Sequence, residues 1–237
     1  LEDYRLIIAD PEDIITGEPV YSFSGDSVPV WALQGTTSRS PYLLQQVRTN
    51  GVVTAVFPEM EGFFIQGKAD QDPTTSQGLF VFQQDNDNTI QPGDLITIQG
   101  TIHEPHTETQ LFLEEWQINA SNQPLPAAIE INPPADDTAS TNYYEALEGM
   151  LVSVNGPVKA VSPTNKYGET AVVLPLYTGT HLMQGEPTGM AIRVDDGSFT
   201  THTDQSSMLY AATTGDLLYD RSEGTRLNSS HGKLSRM

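Results

Sequence analysis

Apolar residues in this chain fall in short runs that alternate with a period of two and stop at glycine, proline or a polar cluster. That pattern predicts strands rather than helices. Val52-Val53-Thr54-Ala55-Val56-Phe57 is β-branched and ends at Pro58. Gly62-Phe63-Phe64-Ile65-Gln66-Gly67 and Gly78-Leu79-Phe80-Val81-Phe82-Gln83 flank a polar turn over residues 68–77, which predicts a hairpin. Asp94 to Ile102 reads as a long strand and Leu111-Phe112-Leu113 as a shorter one. Five strands within residues 44–118 fit a small closed barrel.

Residues 119–141 carry Pro124, Pro126, Pro133 and Pro134, so they predict a stiff, extended linker that cannot pair as a central strand. Residues 142–148 suit one or two helical turns. Strands are expected from Gly149 to Val154, at Ala171-Val172-Val173-Leu174, at Ala191-Ile192-Arg193-Val194 and at Leu217-Leu218-Tyr219, with a long loop over 175–189. Residues 1–43, which include Leu6-Ile7-Ile8-Ala9, read as a lead-in that packs on the first barrel. The expected division is therefore 1–43, 44–118, 119–141 and 142–237.

The two halves repeat one another. Thr49 to Val56 returns as Val154 to Val161, each string centred on Asn-Gly and opening an apolar run. Gly93-Asp94-Leu95 followed by Gly100-Thr101 returns as Gly215-Asp216-Leu217 followed by Gly224-Thr225. Both strings keep their order, as duplication of one small β-domain would require.

Composition narrows the chemistry. The 31 acidic residues against 11 basic give a formal charge of −20, a field that repels polyanions at long range and favours solubility. Four basic residues, Arg221, Arg226, Lys233 and Arg236, sit in the last stretch, so the tail differs in character from the rest. Without cysteine there is neither a disulfide nor a thiolate nucleophile. No run approaches the roughly 20 apolar residues of a membrane span. The opening residues lack the basic and apolar regions of a signal peptide.

Catalytic signatures are absent from the sequence. His103-Glu104-Pro105-His106 is the one close histidine pair, and its spacing beside a proline at a strand end suits a loop better than a metal site. Neither a nucleophile elbow nor a phosphate-binding loop occurs. Asp70 and Asp72, with Asp85 and Asp87, could offer oxygens to calcium, but Asp and Asn are also ordinary turn formers. Alternation places Phe63, Ile65, Leu79 and Val81 on one face of the hairpin and Phe64, Gln66, Phe80 and Phe82 on the other. If the first set fills the barrel, the second lines an outer face where bases could stack, with Lys68 and Arg48 available for phosphates. The alternative is that these rings pack beneath the lead-in or against the second module.

The run Ala32-Leu33-Gln34-Gly35, Ser40-Pro41 and Gly51 to Phe57 resembles the N-terminal part of secreted bacterial nucleases. Gly62-Phe63-Phe64-Ile65-Gln66, Asp72-Pro73, Thr75 to Val81, Gly93-Asp94-Leu95, Leu147 to Val152, Tyr167-Gly168-Glu169 and Ile192 to Gly197 extend that resemblance over about residues 30–219. It implies an all-β fold of two small OB-like Greek-key barrels in tandem, with the second left open if the tail does not complete it. It also implies an extracellular, non-catalytic region that positions single-stranded DNA or RNA for a following endonuclease/exonuclease/phosphatase domain. The catalytic residues of that domain have no counterparts here. The family's loop before Asp72 is richer in Asp and Gly than Gly67-Lys68-Ala69-Asp70-Gln71, which weakens the case for calcium at Asp70 and Asp72, and no other cofactor is expected. The competing expectation is a spacer, or a protein- or polysaccharide-binding module, without nucleic-acid contact. After Tyr219 the resemblance fades into Asp220-Arg221-Ser222-Glu223-Gly224-Thr225-Arg226.

Overall fold

The period-two runs become strands whose alternate residues share one interior. The structure, a computed structural model, describes residues 5–8, 27–84, 89–154, 156–174, 177, 191–197, 201–208, 211–218 and 230–231. The protein is all-β in class, and the helices among the described residues are short. Strand β1 is Arg5–Ile8, and helix α1 is Val30–Gln34. Strands β2 (Gln46–Phe57), β3 (Gly62–Gln66), β4 (Gly78–Phe82), β5 (Leu95–His103) and β6 (Gln110–Ala120) form a closed barrel in the order β2-β3-β4-β6-β5. β4 and β6 run parallel and every other pair is antiparallel, as in an OB-type Greek-key barrel.

Phe63, Ile65, Leu79 and Val81 point inward, as alternation predicts, and join Val53, Ile96, Ile98, Ile102 and Leu111 in one core. Helix α1 closes the barrel with Val30 and Leu33. β6 runs well past Leu113. Glu115 and Gln117 are exposed, and this polar alternation hides a strand that stays paired with β5 as far as Ala120.

The second module contains β7 (Ile129–Glu130), α2 (Asp137–Glu145), β8 (Val152–Ser153), β9 (Val158–Ala160), β10 (Thr170–Val173), β11 (Ala191–Asp195), β12 (Leu217–Leu218) and β13 (Ser230–His231). β7 and β8 pair in parallel. The remaining strands build a six-stranded sheet in the order β12-β9-β10-β11-β1-β13, which does not close on itself among the described residues. Ile131, Tyr144, Leu147, Met150, Val152, Val172, Ile192 and Val194 form its core. Helix α2 starts at Asp136, whose carboxylate accepts from the Ala139 amide at 2.8 Å.

The repeat reappears as geometry. Gly93 N donates to Val53 O at 2.9 Å and Val53 N to Asp94 O at 2.8 Å. In the second module, Gly215 N donates to Ala160 O at 2.8 Å and Ala160 N to Asp216 O at 2.9 Å. Each aspartate then accepts from an amide three residues before it, Gln91 or Thr213. Both glycines have positive φ, 85° and 98°, which glycine adopts without steric cost. The structural match pairs Val53 with Ala160, two residues from the sequence superposition. A two-residue slip keeps the same face of a strand inward, so the repeat survives it.

Two expectations are corrected. The lead-in does not pack as a unit on the first barrel. Val28 and α1 do, but Arg5–Ile8 pairs with β11 and β13 of the second module. The tail contributes to a sheet too, because Ser230 and His231 pair with Ile8 and Ile7. The proline-rich joint is only partly open: Leu125, Ile131 and Pro133 are buried, whereas residues 127–130 are exposed.

Candidate nucleic-acid interface

The outer face of the β3–β4 hairpin is not a bare platform. Phe64 is 1% exposed and Phe80 3%. They pack with Ala55, Phe57 and Met60 in a second apolar cluster outside the barrel core. Phe57 meets Phe64 edge-on at 5.9 Å, and Phe64 lies 4.9 Å from Phe80. The expectation that Phe64 and Phe80 stack bases is therefore corrected in favour of packing. The 3-10 turn Pro58–Met60 brings Met60 over these rings and removes them from water.

Gln66 is also committed elsewhere. It is buried, and its Oε1 accepts from the Leu151 amide at 3.0 Å. Lys68 is exposed in the loop after β3, at the opposite end of the hairpin from Phe82, which pairs with Gly62. Arg48 is exposed on β2, opposite Gln99. The six residues expected to form one site are thus dispersed.

Phe82 stays half-buried, and it has company that the hairpin pattern did not reveal. Its ring lies 4.9 Å from Phe112, tilted by 36°, and Phe112 stacks on the His103 imidazole at 4.1 Å and 30°. All three residues are half-buried rather than covered. The parallel pairing of β4 with β6 sets Phe82 beside Phe112, and the antiparallel pairing of β5 with β6 brings in His103. Alternation along Leu111-Phe112-Leu113 pointed to this arrangement, since an inward Leu111 obliges Phe112 to face outward.

The loop next to this stack is tied to the second module. Glu104 Oε1 accepts from the Ser40 amide at 2.6 Å and from Thr109 Oγ1 at 2.9 Å. The Thr109 amide donates to Glu148 Oε1 at 2.8 Å. Ser76 Oγ donates to the Glu148 carbonyl at 2.5 Å, and Gly78 lies so close to Gly149 that a Cβ on it would sit 2.1 Å from the Gly149 carbonyl carbon. Val52, Leu125 and Leu151 add a small apolar seam. Glu148 is fully buried, and burial first, then the negative charge of Glu108, pushes its carboxyl well above the ordinary value of 4.5.

Asp70 and Asp72 shape their own loop. Asp70 accepts from the Asp72 amide and from Thr75 Oγ1, both at 2.9 Å. Asp72 accepts from the amide and hydroxyl of Thr74, which hold its carboxyl below the usual value. These are Asx-turn bonds. Among the described residues no three acidic or histidine side chains converge as a metal site, and Asp85 and Asp87 lie outside those residues.

One constellation was missed in the sequence. His202 Nε2 lies 2.8 Å from Asp196 Oδ2, and its Nδ1 lies 3.3 Å from Ser207 Oγ. The composition is that of a serine nucleophile, base and acid, but Ser207 Oγ donates to Asp204 O at 2.8 Å and the Ser207 amide donates to the same carbonyl. With both Ser207 donors committed to the turn, the trio ties the 201–208 loop to the end of β11.

Residues 117–225 match a family model. It is described as a domain of unknown function (DUF8508). The matched stretch begins in the last strand of the first barrel and runs through the joint into the second module, covering less than half of the chain. No curated protein matches the chain. Among the described residues no helix is long and apolar enough to cross a membrane.

Proposed function

We propose that this chain is the non-catalytic, substrate-positioning region of a secreted nuclease, and that the Phe82–Phe112–His103 stack engages single-stranded DNA or RNA. The observation that carries the reading is the stack itself: three half-exposed rings on adjacent strands of an OB-type barrel. Phe112 is sandwiched in the middle of the row, so the outer rings Phe82 and His103 offer the π-surface to bases, without demanding a sequence, and Phe112 holds them in place. The resemblance to the region preceding a nuclease domain supplies the parent activity, which belongs to the endonuclease/exonuclease/phosphatase domain of such proteins. Phosphate contacts are few, because the net charge is −20 and Arg48 and Lys68 lie on different parts of the barrel. Affinity then comes from stacking and its salt dependence is shallow.

Fluorescence anisotropy with labelled single-stranded oligonucleotides at low salt tests the reading. Phe82→Ala and Phe112→Ala are each expected to weaken binding by roughly 1–3 kcal/mol in chains that remain folded. Unchanged binding in both folded variants rejects the stack, and no binding by the unaltered chain rejects the nucleic-acid role.

A second reading has its own observation. A cleft of about 690 Å³ lies between the first barrel and α2, bordered by Thr36, Ser38, Thr74, Asn142, Tyr143 and Glu145 and, among the described residues, by no basic one. Its chemistry suits a neutral, hydroxyl-rich ligand. Saturable binding of a neutral oligosaccharide, with none of an oligonucleotide, would favour a polysaccharide-binding module.

A further inference from the structure

We propose that Arg5–Ile8 is the fifth strand of the second module, delivered from the far end of the chain to an edge of β11 that accepts extended apolar segments. In the first barrel the third strand, β4, pairs in parallel with the fifth, β6, through Phe80–Gln110, Val81–Leu111 and Phe82–Phe112. In the second module β9, β10 and β11 stand where the first three strands should, and β12 pairs with β9 as β5 pairs with β2. The strand found parallel to β11 is β1, through Arg5–Arg193, Leu6–Val194 and Ile7–Asp195. Order, direction and number of pairs all agree with the first barrel.

The other side of β1 supports the same assignment. In the first barrel the fourth strand pairs antiparallel with both the first and the fifth. In the second module those two duties are divided: Leu217–Leu218 pairs with β9, and Ser230–His231 pairs antiparallel with β1. The sequence agrees. Leu6-Ile7-Ile8-Ala9 is the kind of apolar run that a fifth strand needs, whereas residues 220–226 read Asp-Arg-Ser-Glu-Gly-Thr-Arg. Strand addition of this type draws its affinity from main-chain hydrogen bonds along a free edge. Since Val28 and α1 are fixed to the first barrel, the segment that leads from β1 to α1 also joins the two modules a second time.

The test uses the full chain carrying Ile7→Pro, which removes one ladder amide and clashes with a neighbouring strand. Hydrogen exchange of the residue 191–195 amides is expected to accelerate at least tenfold, while residues 96–102 keep their protection. Ile7→Val should leave both regions unchanged. A synthetic peptide of residues 1–12, added in excess to the proline variant, should restore protection over residues 191–195. The same peptide carrying Ile7→Pro should not. If the variant loses second-module structure altogether, recovery with the unaltered peptide remains the deciding measurement. Unaltered exchange at 191–195 in Ile7→Pro, or no recovery with the peptide, overturns the assignment.

Discussion

Gly78→Ala tests how firmly the two modules are joined. The new Cβ would lie 2.1 Å from the Gly149 carbonyl carbon and 2.3 Å from the Met150 nitrogen. Carbon atoms rest about 3.5–4 Å apart, so the 149–150 backbone must withdraw by more than about 1 Å. Three hydrogen bonds cross the same few residues: Ser76 Oγ to Glu148 O at 2.5 Å, Thr109 N to Glu148 Oε1 at 2.8 Å and Leu151 N to Gln66 Oε1 at 3.0 Å. A buried group that loses its partner costs about 1–3 kcal/mol, so losing two of the three costs about 2–6 kcal/mol. The lower entropy of an unfolded chain with Ala returns up to about 1 kcal/mol. A net loss of about 2–5 kcal/mol should lower the melting temperature by about 5–15 °C for a chain of this size. Circular dichroism gives the melt, and hydrogen exchange at the Leu151 and Thr109 amides localises the damage. Gly156→Ala is the control: nothing lies within 4 Å of its Cβ, and only its positive φ of 78° opposes the change, for about 1–2 kcal/mol. A Gly78→Ala melt within 2 °C of the parent, with both amides still protected, would refute a packed seam.

The Glu148 carboxyl should make that seam sensitive to pH. Its folded-state value is raised above the unfolded 4.5, so its contribution to stability is fully present below about pH 4.5 and is lost as pH rises through the folded value. Glu148→Gln should flatten that decline and stabilise the protein at neutral pH, and urea titrations showing equal pH slopes would contradict this. Thermolysin should nick the exposed 127–130 stretch first, yet the two fragments should co-elute in size exclusion until denaturant is added, because the seam and β1 hold them. Separate elution in buffer would count against both links. Purified chain should not hydrolyse DNA or RNA with Mg²⁺, Mn²⁺ or Ca²⁺, and turnover abolished by His202→Ala would revise the view of the Asp196–His202–Ser207 trio.

Local pattern made the barrel legible. Strict alternation in β5, the glycine boundaries of β3 and β4 and the repeated Gly-Asp-Leu turns each reflect forces acting within a few residues. β6 was legible only in part, since one side of its outer half faces water and dilutes the apolar signal. The candidate site was harder to read. Alternation sorts the outward rings Phe64, Phe80 and Phe82 from the inward set, but it carries no record of what lies above them. Met60 covers two of the three, and the third finds Phe112 and His103 through strand pairings remote in sequence. Gln66 looked like a surface amide for the same reason, because its partner is the Leu151 main chain. The role of Leu6-Ile7-Ile8 was least visible, since its partners stand near residues 193 and 231.

The pairing of Arg5 with Arg193 also sets a timetable for synthesis. At about 5–20 residues per second, roughly 10–40 s separate the emergence of β1 from that of the strand it joins. The first barrel, whose strands all lie between Gln46 and Ala120, is complete well before then. Throughout that interval Leu6-Ile7-Ile8 is an apolar segment without its native partner, beside a barrel that has already folded. Contacts of such long sequence separation form late and slowly. The second module therefore matures only after β11 has left the ribosome, long after the strand that pairs with it was made.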